Sequence, residues 1–97
     1  MQTVSTEHIE ITPSVRNGKP RIAGTRIAVE DIAVMHLKMG YSLIEIAPKY
    51  NLSLGSVYAA MAYYFDNKEE IEHRMTQEVE YIKELKQNYP SKLHNIS

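Results

Sequence analysis

Four cations, Arg16, Lys19, Arg21 and Arg26, lie between Pro13 and Arg26 with no acidic residue among them. A short stretch carrying one sign of charge suits phosphate oxygens, which accept charge-assisted hydrogen bonds from guanidinium and ammonium groups. Lys49 adds a further cation downstream. Ser53, Ser56 and Tyr58 then open a helical pattern, where a helix entering the major groove carries its base-reading side chains. The same serines serve equally as helix caps and solvated surface. No Arg or Lys occurs from Ser53 to Phe65, so affinity for DNA is expected from the cations on phosphates rather than from strong base readout.

Catalytic and metal chemistry find less support. His8, His36, His73 and His94 are scattered with no i, i+4 pair, and the chain has no cysteine, so spacing assembles no zinc ligand set. Glu69, Glu70 and Glu72 stand where acids favour a helix N-terminus, as Glu30 and Asp31 do for an earlier helix. Gly18-Lys19-Pro20 lacks the spacing of a phosphate-binding loop. No nucleophile and base can be paired. The expectation is no enzyme, no cofactor and no metal.

Composition sets the class. At 97 residues, 43% apolar and 24% charged, the chain suits one soluble globular domain. A net charge of −1 argues against an indiscriminate polyanion binder. From Asp66 onward seven acids face five bases, a mildly acidic surface. Absence of cysteine fits a reducing compartment. The opening MQTVSTEH has neither the basic nor the apolar region of a secretory signal. The longest apolar run, Val57 to Phe65, is far short of a membrane span. A cytoplasmic protein without membrane contact is expected.

Those side chains need elements to position them. Residues 1–7 are unpatterned and read as a flexible tail. His8 to Thr12 alternates polar and apolar as a half-buried strand does. Asn17-Gly18 favours a tight turn, and Arg21-Ile22-Ala23 follows as a second short strand that Pro20 confines to an edge. These form a β element over 8–28. Val29 to Met39 has helical spacing, with Val29, Ile32, Ala33, His36 and Leu37 on one side and Gly40 as a left-handed stop. Ser42 with Glu45 has capping-box form and opens a short helix ending near Tyr50. Asn51 supplies a turn, and Ser53 caps a helix through Val57, Ala60, Met61 and Tyr64. With Ala47 for close approach and Ile46, Leu52 and Val57 for a core, this is a helix-turn-helix. Pro48, beyond the first turn, removes a hydrogen bond and requires the first helix to be short or kinked.

Asn67 with Glu70 repeats the capping pattern and starts a last helix over 67–89, closed by Pro90, with 90–97 frayed and the single domain spanning 8–89. Ile71, Met75, Val79, Ile82, Leu85 and Tyr89 recur along it at three or four residues. Ile71 and Met75 are expected in the chain's own core. Val79, Ile82, Leu85 and Tyr89 have few residues left to pack against and are expected to receive a second copy or a different protein.

The string Gly18-Lys19-Pro20-Arg21-Ile22-Ala23-Gly24-Thr25-Arg26-Ile27 is followed by Gly40-Tyr41-Ser42, by Ala59-Ala60-Met61-Ala62-Tyr63-Tyr64, and by Asn67 with Glu69-Glu70-Ile71. Together these resemble the bacterial domain-of-unknown-function family 433 over about residues 8 to 75. The resemblance implies a mostly α fold: a short N-terminal β element, a homeodomain-like or winged-helix-like helix-turn-helix bundle and a long C-terminal helix. It also implies an antitoxin of a toxin–antitoxin pair whose toxin looks like a PIN-type ribonuclease, and it brings no catalytic residues. Gly18, Lys19, Pro20, Gly24, Thr25 and Arg26 match the family signature, in a functional or a structural capacity. Where members commonly carry an acid near the start of the recognition helix, this chain has Gly55-Ser56. The leading expectation is a homodimer or higher homo-oligomer that binds DNA through the helix-turn-helix and a PIN-like toxin through other surfaces. The alternative is a protein–protein interaction module without DNA binding, which the neutral second helix favours.

Overall fold

The computed structural model describes residues 4–5 and 7–88. The alternating segment becomes strand β2, Ile9–Ile11, which lies between β1, Val4–Ser5, and β3, Arg21–Ile22. Both pairings are antiparallel, and the strand order is β1-β2-β3. Val4 stands opposite Ile11 and Ser5 opposite Glu10, so part of the segment that read as a tail is paired. A two-residue strand is too short to show a period. Across the other edge of β2, Ile9 faces Ile22 and Glu10 faces Arg21.

The link from β2 to β3 contains a 3-10 turn, Arg16–Gly18, in which Arg16, Asn17 and Gly18 all have positive φ. Beyond β3 the chain reverses at Gly24, φ +77°. Thr25 holds this reversal twice, its hydroxyl donating to the Ile22 carbonyl and accepting from the Ile27 N–H.

Helix α1, Val29–Ala33, buries Val29, Ile32 and Ala33. The chain then widens into a π-helical turn, Val34–Lys38, marked by the Met39 N–H donating to the Val34 carbonyl at 3.0 Å. Each residue of a π turn rotates less than in an α-helix, so α spacing counted forward from Val29 overruns. Leu37 therefore leaves the buried face that its spacing assigned it and is 49% exposed, whereas His36 is half-buried with Nδ1 2.7 Å from the Tyr41 carbonyl oxygen. Gly40 ends the helix at φ +80°, the left-handed stop that its position predicts.

Helix α2, Leu43–Lys49, opens on Ser42, whose hydroxyl accepts from the Glu45 N–H while Glu45 Oε1 accepts from the Ser42 N–H. It is short and contains Pro48, as the sequence requires. Asn51 follows at φ +55°. The Leu52 N–H reaches the Ala47 carbonyl at 2.8 Å and the Asn51 N–H reaches that of Pro48 at 3.2 Å, the paired bonds of a Schellman ending. Helix α3, Leu54–Asp66, begins at once on Ser53, which accepts from the Ser56 N–H. Ile46 and Ala47 of α2 and Val57, Ala60, Met61 and Tyr64 of α3 join Ile22, Val29 and Ile32 in the core.

By their internal contacts the residues fall into two compact units, Met1–Asn67 and Lys68–Ser97. Asn67 stands between α3 and the last helix. Its side-chain amide donates to the Tyr63 carbonyl and so helps to close α3, directly before the last helix. Helix α4, Lys68–Asn88, makes up the described part of the second unit. The architecture is mostly α, with a short N-terminal β element, a helix-turn-helix and a long C-terminal helix. No helix among the described residues is long and apolar enough to cross a membrane.

Candidate nucleic-acid interface

Ser53 and Ser56 sit at the start of α3, Tyr58 lies about one turn on, and Lys49 closes α2, so the helix-turn-helix carries all four. Ser53, Leu54, Gly55 and Tyr58 are exposed, which leaves this edge of the unit open. Ser56 is half-buried; its hydroxyl takes a hydrogen bond from Ser53 Oγ at 2.8 Å and lies 3.3 Å from His8 Nδ1. Gly55 also lies beside His8, where an added Cβ would meet the imidazole at 3.5 Å. The residue before β2 thus flanks the start of α3. Lys49 is exposed, with its ammonium 4.8 Å from the Tyr41 ring centroid and 5.9 Å from that of Tyr50, both within cation–π reach.

The cations expected on phosphates divide sharply. Lys19 Nζ is 3.3 Å from Glu30 Oε1, with the two side chains only 11% and 14% exposed. Arg21 is buried: Nη1 donates to the Thr25 carbonyl and Nη2 to Thr12 Oγ1, each at 2.7 Å, and Nη1 lies 3.8 Å from Glu10 Oε2. Its Nε is buried without a hydrogen-bond partner among the described residues. Arg16 Nη1 donates to Asp31 Oδ2 at 2.8 Å and to the Arg26 carbonyl at 3.0 Å. Asp31 Oδ2 also accepts from the Ala28 N–H, which caps α1. A phosphate reaching Lys19 or Arg21 would have to displace a carboxylate and strand it in the interior. Arg16, Lys19 and Arg21 are thus each engaged by a carboxylate of the chain. Arg26 and Lys49 remain; Lys49 is exposed and Arg26 stands at the solvent edge of the reversal after β3.

These contacts also give the Gly-Lys-Pro…Gly-Thr-Arg string a structural role. Gly18 and Gly24 hold positive φ, Thr25 closes a turn, and Lys19 and Arg21 clasp acids from α1 and β2. Sequence reasoning assigned Glu30 and Asp31 to the helix dipole alone. The available signal was that the cation-only stretch is bracketed by Glu10 on one side and by Glu30 and Asp31 on the other.

A second feature went unread. Leu54, Tyr58 and Phe65 are 44%, 51% and 56% exposed, and with exposed Ala62 they fall on one stripe of α3 at i, i+4, i+8 and i+11. The neighbouring stripe, about 100° round the helix, is the buried set Val57, Ala60, Met61 and Tyr64. The α3 helix is apolar on two faces, and one faces solvent.

Of the residues expected to receive a partner on the second unit, Val79 and Ile82 are exposed and Leu85 is half-buried. Tyr89 lies outside the described residues. No three metal-ligating side chains gather among the described residues.

The family described as protein of unknown function (DUF433) matches residues 9–64. The chain is similar to the crystal structure of a DUF433 member protein from Anabaena variabilis, at 33% identity and a TM-score of 0.63, over 73% of this chain and 70% of that one. No curated protein matches the chain. The matched span runs from β2 to the buried Tyr64 of α3 and so contains both the clasp and the helix-turn-helix; the chain belongs to the DUF433 family.

Proposed function

We propose that this protein is a non-catalytic regulator of antitoxin type. It binds DNA through α2, the Asn51 turn and α3, and binds a PIN-like nuclease through other surfaces. The observation that carries the DNA reading is the open first turn of α3, where Ser53 and Tyr58 are exposed at the end of a helix-turn-helix. With Lys19 and Arg21 buried, phosphate contact rests on Arg26 and Lys49. Binding is accordingly modest and strongly salt-dependent. Anisotropy titrations of DNA upstream of the gene, at rising salt, test it. Arg26→Ala with Lys49→Ala should flatten the log K against log salt slope by about one unit for each phosphate left unneutralised. Binding that is absent, or indifferent to both changes, refutes the DNA reading.

The exposed Leu54–Tyr58–Phe65 stripe favours a second reading, in which α3 seats a protein. A solvated apolar helix face without cations suits a groove on a partner better than a polyanion. Phe65→Asp, at the end of the stripe far from the first turn of α3, would then abolish co-purification with the neighbouring gene's product and leave the DNA titration unchanged.

A further inference from the structure

We infer that α4 pairs with α4 of a second copy of this chain, antiparallel, with the two-fold axis close to Val79. This inference concerns the second unit alone and stands whether or not the helix-turn-helix binds DNA. Helix α4 runs 21 residues, about 31 Å. Helices in proteins draw most of their stability from a covered apolar face rather than from propensity. Its apolar positions Met75, Val79, Ile82 and Leu85 form one stripe at helical spacing. Val79 and Ile82, at the middle of that stripe, are 53% and 51% exposed.

Charge selects the occupant and its direction. Lys68 to Glu80 carries five acids against Lys68 and Arg74, whereas Tyr81 to Asn88 carries Lys83 and Lys86 against Glu84 alone. Laid head to tail, two copies set the acidic half of each against the basic half of the other and oppose their helix dipoles. Laid parallel, they set acid on acid. Placing the axis at Val79 brings Met75 opposite Ile82 of the second copy and Glu72 opposite Lys86, each pair occurring twice. Glu72 and Lys86 lie on the same flank of the stripe, the flank that meets itself in an antiparallel pair. A contact of this length is at the low end of specific interface size, so the dimer is weak.

The absence of cysteine makes the test direct. In the full chain, Val79→Cys near the axis should form a disulfide-linked dimer under mild oxidation. Leu85→Cys should not, because the two copies of that position stand about 18 Å apart along the axis, well beyond disulfide reach. Sedimentation across a wide concentration range gives the second arm. Ile82→Asp should raise the dimer dissociation constant by about 100-fold with the circular dichroism of the helix retained. Glu72→Lys or Lys86→Glu alone should weaken the dimer, and the two together should restore it. Equal cross-linking at positions 79 and 85 would overturn the antiparallel arrangement. A wild-type chain that stays monomeric, or a dimer indifferent to Ile82→Asp, would overturn the pairing itself.

Discussion

Lys19 Nζ and Glu30 Oε1 stand 3.3 Å apart with both side chains nearly buried, so the first turn of α1 is tied to the segment that leads into β3. Removing one member leaves the other charged in a poorly solvated place. Glu30→Ala is expected to destabilise the fold by about 3–5 kcal/mol, read as a lower urea midpoint. Lys19→Met combined with Glu30→Leu should recover most of that loss, because an apolar pair needs no desolvation. A loss under about 1 kcal/mol for Glu30→Ala would mean a pair screened like a surface one.

Asn51 holds φ +55° between α2 and α3. Asn51→Gly should cost a few tenths of a kcal/mol or stabilise, since glycine enters that region freely. Asn51→Val should cost about 1–2 kcal/mol, because a β-branched residue clashes there. Thermal midpoints of the two variants distinguish them, and equal midpoints would mean that the left-handed turn constrains nothing.

Ser42 and Ser53 cap α2 and α3 with the same hydroxyl-to-N–H bond. Each change to alanine should cost about 1 kcal/mol. Only Ser53→Ala should also weaken DNA binding, so Ser42→Ala is its control for stability. Equal loss of binding in both would assign the effect to folding.

The π turn makes a prediction opposite to that of simple periodicity. Leu37→Lys should change stability by no more than about 0.5 kcal/mol, as at an ordinary surface position. Ile32→Ala, fully buried on α1, should cost about 2–5 kcal/mol. A large loss for Leu37→Lys in chemical denaturation would contradict the solvent-facing placement.

Local signals that need only neighbours in sequence were legible. Gly40, Asn51, the Ser42–Glu45 box and the Ser53 cap each follow from the chemistry of a few adjacent residues, and each is where its residue type predicts. Pro48 likewise announced a short α2. What the sequence hid depends on distance. Glu10 and Arg21 meet only because β2 and β3 pair in one register, and nothing in either segment states that register. Arg16, Lys19 and Arg21 therefore read as part of a phosphate face when their partners are carboxylates brought in from elsewhere. Leu54 and Phe65 were missed because periodicity reports an apolar stripe and assumes that it is covered. Leu37 failed for another reason: one widened turn changes the phase of the residues after it.

Because Lys19, Arg21, Gly24 and Thr25 are consumed in holding the clasp, the most recognisable string of this chain is a maintenance record of its architecture. Relatives that share those ten letters share a chassis and need not share cargo. Differences in what they recognise should therefore be sought at water-facing positions of α3 and α4, where substitution leaves the frame untouched.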